Sequence, residues 1–291
     1  MYNRVENRPP TGATLKKDRI MLQNLHTHTV FCDGKNTPRE MIEKAIEFGF
    51  DSLGFSSHAK TKYNTGWEIR TSPEEYVNEI NKMKKEYSDR IRIYVGCELD
   101  YYSNGYMPTE GLDYTIGAVH MLDVGGYVVD YDHSYEISKK AIDEIYRGNC
   151  FDYARDYYAQ LVKMSREMSY DIVGHFDLLT KFSEKHPELI DCDSKEYRDA
   201  ALEALYAVRE RHEIFEVNTG AISRGHRTTP YPAPFILDEM KRIGCKLVLT
   251  SDCHNAEYLT VCFDKAKELL ASHGFSELYY LTENGFVAEK I

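Results

Sequence analysis

The sequence has no apolar run long enough to cross a membrane. Across its 291 residues, no segment approaches the roughly 18 to 20 consecutive apolar residues that a transmembrane helix needs. Residues 1–20 also lack the apolar centre that a secretory signal contains. We therefore expect a cytoplasmic protein that has no membrane partner.

Paired cysteines and an excess of basic residues are also missing. The seven cysteines form no CxxC pair, which argues against a disulfide framework and favours reduced thiols. Lys and Arg number 36 against 47 Asp and Glu, giving a net charge of -11, so the protein as a whole would repel a nucleic acid. A small substrate is expected instead, and the sequence does not indicate the oligomeric state.

Short apolar runs alternate with segments of helical periodicity along the chain. The predicted strands are 21–25, 52–55, 91–95, 114–119, 171–173, 214–217 and 246–249. The predicted helices are 38–50, 73–87, 135–170 with a break near Gly148, 194–212, 233–243 and 256–273. This alternation predicts an α/β protein with a parallel sheet, either a closed barrel of seven units or an open doubly wound sheet. Residues 1–20 are interpreted as an extension and 21–291 as one domain.

Residues of the metal-ligand type follow nearly every predicted strand. His26 and His28 share one face of an extended segment, because side chains alternate with a period of two. In a barrel, the carboxyl ends of the strands form the catalytic face, so side chains placed there are expected to meet. The candidate ligands are His26, His28, Asp33, His58, Glu98, His120, His175, Asp252 and His254.

Imidazole and carboxylate groups without thiolate suit zinc, iron or manganese. A bound divalent ion lowers the pKa of water from 15.7 to about 7 and can stabilise charge on a phosphate group. The expected nucleophile is a hydroxide that bridges two ions, so no nucleophilic Ser or Cys is needed. The residues therefore predict a metal centre whose chemistry would suit the hydrolysis of a phosphate ester.

The segments HTHTVFCDG, SSH, GCE, GAVH, GHFD and SDCH resemble the motif series of the PHP (polymerase and histidinol phosphatase) family, from about residue 21 to the C-terminus. Within that family, the chain most resembles the histidinol-phosphatase branch, because of its length, its lack of a polymerase appendage and its segment 216–220 (EVNTG). The resemblance implies a distorted (β/α)7 TIM-like barrel with a trinuclear metal centre. It also implies hydrolysis of L-histidinol phosphate to L-histidinol and phosphate in histidine biosynthesis.

The resemblance further implies three divalent ions, with zinc favoured and iron or manganese as alternatives. It assigns the first ion to His26, His28, Glu98 and Asp252, the second to Glu98, His120 and His175, and the third to Asp33, His58 and His254. One departure is that Asp33-Gly34 stands where many close members have Pro-His-Gly. A carboxylate thus replaces an imidazole at one ligand position, which leaves the substrate more open.

Catalytic and substrate-binding roles are assigned to residues near these positions. Asp252 or His254 would give a proton to the leaving oxygen, and Arg224 would bind the phosphate group. Lys60 is a second candidate for phosphate binding. Asp177 is expected either to bind substrate or to orient the imidazole of His175.

Two alternatives to histidinol phosphatase remain open. The same centre could act on another small phosphate ester or a nucleotide, or the chain could be a non-catalytic regulator that binds metal or a phosphometabolite. The only tryptophan, Trp67, lies in a loop after a predicted strand, where loop packing is a simpler expectation than a role in a substrate pocket.

Overall fold

The computed structural model describes residues 21–291, so the predicted extension 1–20 lies outside the described residues. The strands are β1 Gln23–Asn24, β2 Ser52–Phe55, β3 Arg92–Asp100, β4 Tyr114–Ala118, β5 Met121–Val124, β6 Tyr127–Asp130, β7 Ile172–Val173, β8 Ile214–Asn218, β9 Lys246–Thr250, β10 Glu277–Thr282 and β11 Gly285–Lys290. The α-helices are α1 Pro38–Glu47, α2 Pro73–Glu86, α3 Tyr135–Glu144, α4 Cys150–Glu167, α5 Lys195–Arg209, α6 Gly220–Ser223, α7 Pro234–Arg242 and α8 Phe263–Ser272.

Seven parallel strands form the central sheet in the order β1-β2-β3-β4-β7-β8-β9. The two ends of this sheet approach each other, since Thr27 and Cys253 form a parallel bridge and the His28 amide donates to the Cys253 carbonyl at 3.0 Å. These contacts make a nearly closed barrel rather than an open sheet. The predicted distorted (β/α)7 barrel is confirmed.

Helices α1 and α2 begin at Pro38 and Pro73, as the sequence predicts, whereas α8 begins only at Phe263, inside the predicted segment 256–273. The Thr37 side chain caps α1 by accepting from the Glu40 amide, and the Thr37 amide donates in turn to the Glu40 carboxylate. Ser72 caps α2 in the same position. The predicted segment 135–170 is two helices, α3 and α4, separated near Gly148, which has a φ of 81°. No described helix is both long and apolar enough to traverse a lipid bilayer.

Two antiparallel hairpins, β5–β6 and β10–β11, are absent from the sequence prediction. The C-terminal hairpin covers the end of the barrel where the strands begin: the Leu281 carbonyl accepts from Gln23 Nε2 and from the Tyr94 hydroxyl, each at 2.9 Å. This end is therefore closed by protein, which leaves a site to form at the opposite end.

A tyrosine fills the barrel interior below that opposite end. Tyr114 is buried, and its hydroxyl donates to the Leu25 carbonyl. Its ring fits because two neighbouring strands carry glycine: a Cβ at Gly54 would lie 2.4 Å from the Tyr114 oxygen, and a Cβ at Gly96 would lie 2.3 Å from Cζ. The floor beneath the strand ends is thus a packed, largely apolar layer around Tyr114.

Candidate metal centre

Glu98 lies at the centre of the cluster of predicted ligands. Its Oε2 atom lies 3.2 Å from His26 Nε2 and 3.5 Å from His28 Nε2. Asp252 Oδ1 lies 3.1 Å from His28 Nε2 and 3.6 Å from His26 Nε2. These four side chains, which come from three strand ends, therefore surround one small volume with two imidazole nitrogens and two carboxylate oxygens.

The second oxygen of Glu98 faces another pair of imidazoles. Oε1 lies 3.1 Å from His120 Nε2 and 2.9 Å from His175 Nε2. His120 follows β4 and His175 follows β7, so their approach depends on the parallel register of these adjacent strands. Glu98 is thus placed so that each oxygen could contact a different ion.

A third group includes Asp33, which the turn after β1 brings back to the cluster. His254 Nε2 lies 3.2 Å from Asp33 Oδ2, and His58 Nε2 lies 3.7 Å from Asp33 Oδ1. His58 also reaches Glu98, with 2.8 Å between Nδ1 and Oε2, and His28 belongs to the same compact group. The structure therefore brings all nine predicted ligands together, although it links the three groups more closely than the separate assignments suggest.

The chemistry of the buried atoms fits divalent cations. His26 Nε2, His28 Nε2, His58 Nδ1 and Glu98 Oε2 are buried, and among the described residues none of them makes a hydrogen bond of suitable geometry, although some lie close to one another. This is an unusual state for polar atoms in a protein. Burial alone would raise the pKa of Glu98, but the adjacent His26 and His58 hold it well below its usual range. The site therefore presents ionised carboxylate and imidazole nitrogens to any cation that it binds.

The pKa of His28 points to the same conclusion. Burial and the neighbouring His254 and His58 lower the pKa of His28 to about 3. For Asp252, burial acts in the opposite direction, but Arg224 and His26 hold its pKa well below the usual range. Both side chains are thus unprotonated near neutral pH, the state in which they can coordinate a metal.

Two further buried carboxylates orient the imidazoles, and the sequence reasoning did not identify them as site residues. Glu216 Oε1 lies 2.6 Å from His26 Nδ1, and Glu216 Oε2 accepts from the His175 amide at 2.8 Å. Asp100 accepts from the His120 amide at 2.8 Å and lies 3.4 Å from its Nδ1 atom. Glu216 lies within the otherwise apolar part of strand β8. A carboxylate at such a position is the sequence signal that could have identified it as a site residue.

A cavity of about 530 Å³ opens above the cluster. Its walls are formed by Asp33, His58, Thr65, Gly66, Trp67, Glu98, His120, Asp130, Asp132, His133, His175, Leu178, Lys181, Arg224, Asp252 and His254. Arg224 donates to the Asp252 carbonyl and to Asp252 Oδ2, each at 3.0 Å. The predicted phosphate-binding arginine is therefore at the cavity wall beside the cluster.

The other two predicted substrate contacts do not reach the cavity. Lys60 is not among the side chains that line it. Asp177 is fully buried, and its Oδ2 atom accepts from the Ala233 amide at 3.0 Å. The His175 amide is held by Glu216. The lysine at the wall is Lys181, which the sequence reasoning missed; its Nζ atom lies 2.6 Å from Asp132 Oδ1.

A parallel barrel whose strand ends hold a buried cluster of imidazoles and carboxylates defines the class of metal-dependent barrel hydrolases. The chain belongs to the PHP domain family, whose model matches residues 24–220. This confirms the family resemblance found in the motifs.

Curated relatives and a solved structure are similar over most of the chain. The histidinol-phosphatase of Bacillus subtilis is 30% identical over 255 residues, covering 79% of this chain and 92% of the relative. A protein of Schizosaccharomyces pombe named "Probable histidinol-phosphatase" is 26% identical over 289 residues, covering 91% and 92%. The crystal structure of histidinol phosphate phosphatase from Lactococcus lactis, complexed with zinc, L-histidinol and phosphate, matches with a TM-score of 0.71 at 22% identity over 91% of this chain and 98% of that chain. At 22% identity, this structural similarity supports the fold alone.

Proposed function

We propose that this protein is a metal-dependent phosphomonoesterase that hydrolyses L-histidinol phosphate to L-histidinol and phosphate, as a step of histidine biosynthesis. The observation that carries the proposal is the position of Glu98, whose two oxygens face separate sets of imidazoles. The substrate is inferred from the relative that is 30% identical over 79% of this chain.

We also propose that the cluster binds three divalent ions, with zinc favoured. His26, His28, Glu98 and Asp252 would hold the first, Glu98, His120 and His175 the second, and Asp33, His58 and His254 the third. When bound, such ions would lower the pKa of water and withdraw charge from the phosphate oxygens. The donor set supports this assignment, because it combines hard oxygen and imidazole nitrogen ligands without a thiolate.

The residues of the chain would then bind and orient the ester. Arg224 is fixed by Asp252, and its guanidinium at the cavity wall is suited to a phosphate oxygen. Asp252 and His254 are proposed for proton transfer to the leaving oxygen. Despite burial, Arg224 and His26 hold the pKa of Asp252 well below the usual range, so Asp252 is ionised near neutral pH and would have to take up a proton before it could donate one.

The proposal is tested by phosphate release from L-histidinol phosphate with zinc-loaded, manganese-loaded and chelator-treated protein. We expect turnover only with metal, and about three ions per chain by elemental analysis. Glu98→Gln should lower kcat/KM by more than about 100-fold, since loss of groups that merely support ligands already costs about 10- to 100-fold. Glu47→Gln, at a side chain that is 64% exposed, is the matched control and should keep full activity.

Full turnover by metal-free protein would contradict the metal-dependent mechanism. A panel of phosphate monoesters and nucleotides then tests the substrate. Metal-dependent turnover of another ester but not of L-histidinol phosphate would overturn the substrate and keep the reaction. Metal binding without turnover of any ester would favour a non-catalytic regulator.

A further inference from the structure

The carboxylates of the cavity differ in whether they have a counter-charge. Five of them line its wall: Asp33, Glu98, Asp130, Asp132 and Asp252. Three belong to the candidate metal centre, and each of these lies within 4.0 Å of at least one imidazole or guanidinium nitrogen. Asp132 is paired with Lys181, with 2.6 Å between Oδ1 and Nζ.

Asp130 is the exception. Among residues 21–291, no Lys, Arg or His nitrogen lies within 4.0 Å of its carboxylate. Burial, and then the charge of Asp132, raise the pKa of Asp130 above its usual value, which is the direction expected for a carboxylate that lacks a counter-charge. A half-buried carboxylate of this kind is stabilised when a ligand brings a cation to it.

The structure holds Asp130 in place from two sides. It is the last residue of β6, so the hairpin β5–β6 carries it to the cavity. The Trp67 indole N–H donates to Asp130 Oδ2 at 3.2 Å. The loop that contains Trp67 is joined to the same hairpin by a hydrogen bond from the Tyr63 hydroxyl to the Asp123 carboxylate.

Two groups of residues in the cavity wall thus differ in chemistry. The candidate metal centre and Arg224 form a surface that suits a phosphate group. Asp130 and the Trp67 indole provide a separate anionic and aromatic surface in the same cavity. Trp67 lies next to the metal-centre imidazoles, with 4.8 Å between the Trp67 and His58 ring centroids, so a small molecule could contact both surfaces.

We propose that Asp130 binds a cationic nitrogen of the substrate, so that the enzyme selects phosphate monoesters that carry an amine or imidazolium group. This inference rests on the proposed function, since L-histidinol phosphate carries both a primary amine and an imidazole ring. In this role Asp130 determines specificity and takes no part in the hydrolysis itself. A bound cation would pair with the lining carboxylate that residues 21–291 leave without an ion pair.

The test compares Asp130→Asn with wild-type protein on esters that differ in charge. A hydrogen bond to a charged group contributes about 1.5 to 3 kcal/mol, so kcat/KM for L-histidinol phosphate should fall about 10- to 150-fold. For p-nitrophenyl phosphate, which has no cation, kcat/KM should change less than about twofold. Because the same protein is assayed on both esters, the ester without a cation also reports whether the variant is folded and loaded with metal.

Two further variants sharpen the test. Trp67→Phe removes the indole donor and keeps an aromatic ring, so we expect a smaller loss that is again confined to the cationic ester. Asp143→Asn, at an exposed carboxylate of α3 paired with Lys139, is the matched control and should change neither ester. Equal losses on both esters, or no loss on L-histidinol phosphate, would overturn the role of Asp130.

Failure of the proposed function gives a different result. In that case wild-type protein does not hydrolyse L-histidinol phosphate, and the comparison is made with 2-aminoethyl phosphate and ethyl phosphate, which differ by one amine. A preference for the amine that Asp130→Asn abolishes would support the inference with another substrate. The absence of any such preference in wild-type protein would refute it.

Discussion

Glu216→Gln is the change that tests how the imidazoles of the metal centre are oriented. Glu216 is fully buried, and both of its oxygens face donors or imidazole nitrogens. Oε1 lies 2.6 Å from His26 Nδ1 and accepts from the Thr250 hydroxyl at 2.6 Å. Oε2 accepts from the His175 amide at 2.8 Å and from Asn218 Nδ2 at 3.0 Å. A proton on His26 Nδ1 leaves Nε2 free to face Glu98 and an ion.

The magnitude follows from these four contacts. A glutamine has one carbonyl oxygen and one amino group, so in either orientation the amino group faces two of the four contacts that the carboxylate accepted. Each buried donor left unsatisfied costs about 1 to 3 kcal/mol. Partial relaxation would reduce the sum, and a loss of about 10- to 100-fold in metal affinity, or about 1.4 to 2.8 kcal/mol, is expected.

Competition with a chelator for bound zinc measures this affinity, and phosphate release from L-histidinol phosphate measures kcat/KM. We expect both to fall by about 10- to 100-fold, with kcat/KM recovering partly at high metal concentration. Glu213→Gln is the control. Glu213 is an exposed carboxylate immediately before β8, and it forms an ion pair with Lys246. Wild-type metal affinity in Glu216→Gln would refute the orienting role, even if the variant were less stable.

Three other changes test the fold. Gly96→Ala should lower the free energy of unfolding by about 1 to 3 kcal/mol in a urea titration, because the new Cβ would lie 2.3 Å from Tyr114; an unchanged midpoint would contradict this packing. Ser72→Ala should cost about 1 kcal/mol through loss of the α2 cap, whereas Ser88→Ala, beyond that helix, should cost less than about 0.5 kcal/mol. Burial and the nearby Lys181 lower the pKa of His226 to about 4, so wild-type protein loses stability through this residue as pH falls below about 6.5. As the pH falls from 7 to 5, the free energy of unfolding of His226→Gln should rise by about 1 kcal/mol relative to that of wild type, after allowance for solvent screening. A difference between the two proteins that does not change with pH would argue against the lowered pKa.

The barrel and the candidate ligands could be predicted because both depend on local patterns. Apolar runs bounded by polar residues identified the seven strands of the sheet, and helical periodicity identified most of the helices between them. Ligand positions followed from the same pattern, since residues at parallel strand ends meet at one face. His26 and His175 therefore needed no knowledge of tertiary contacts to be brought together.

The orienting and substrate-facing residues could not be found in this way. Glu216 contacts His26 across 190 positions of sequence, and nothing near it in the chain indicates that partner. Lys60 follows a strand as closely as the ligands do, yet Lys181 lines the cavity instead. The approach of Asp130 depends on the hairpin β5–β6, whose two short strands were not predicted.

This difference has a physical origin that bears on specificity. Most candidate metal ligands are positioned by the barrel itself, because they lie on or soon after strands whose carboxyl ends meet at one face. Asp130 and Trp67 lie on a hairpin and a loop that are joined by side-chain contacts, and such connections can change without altering the barrel. Substitutions in these two connections should therefore change which ester is preferred while the metal content stays constant. Substitutions at Glu98 or Glu216 should instead lower metal content and the turnover of every ester together.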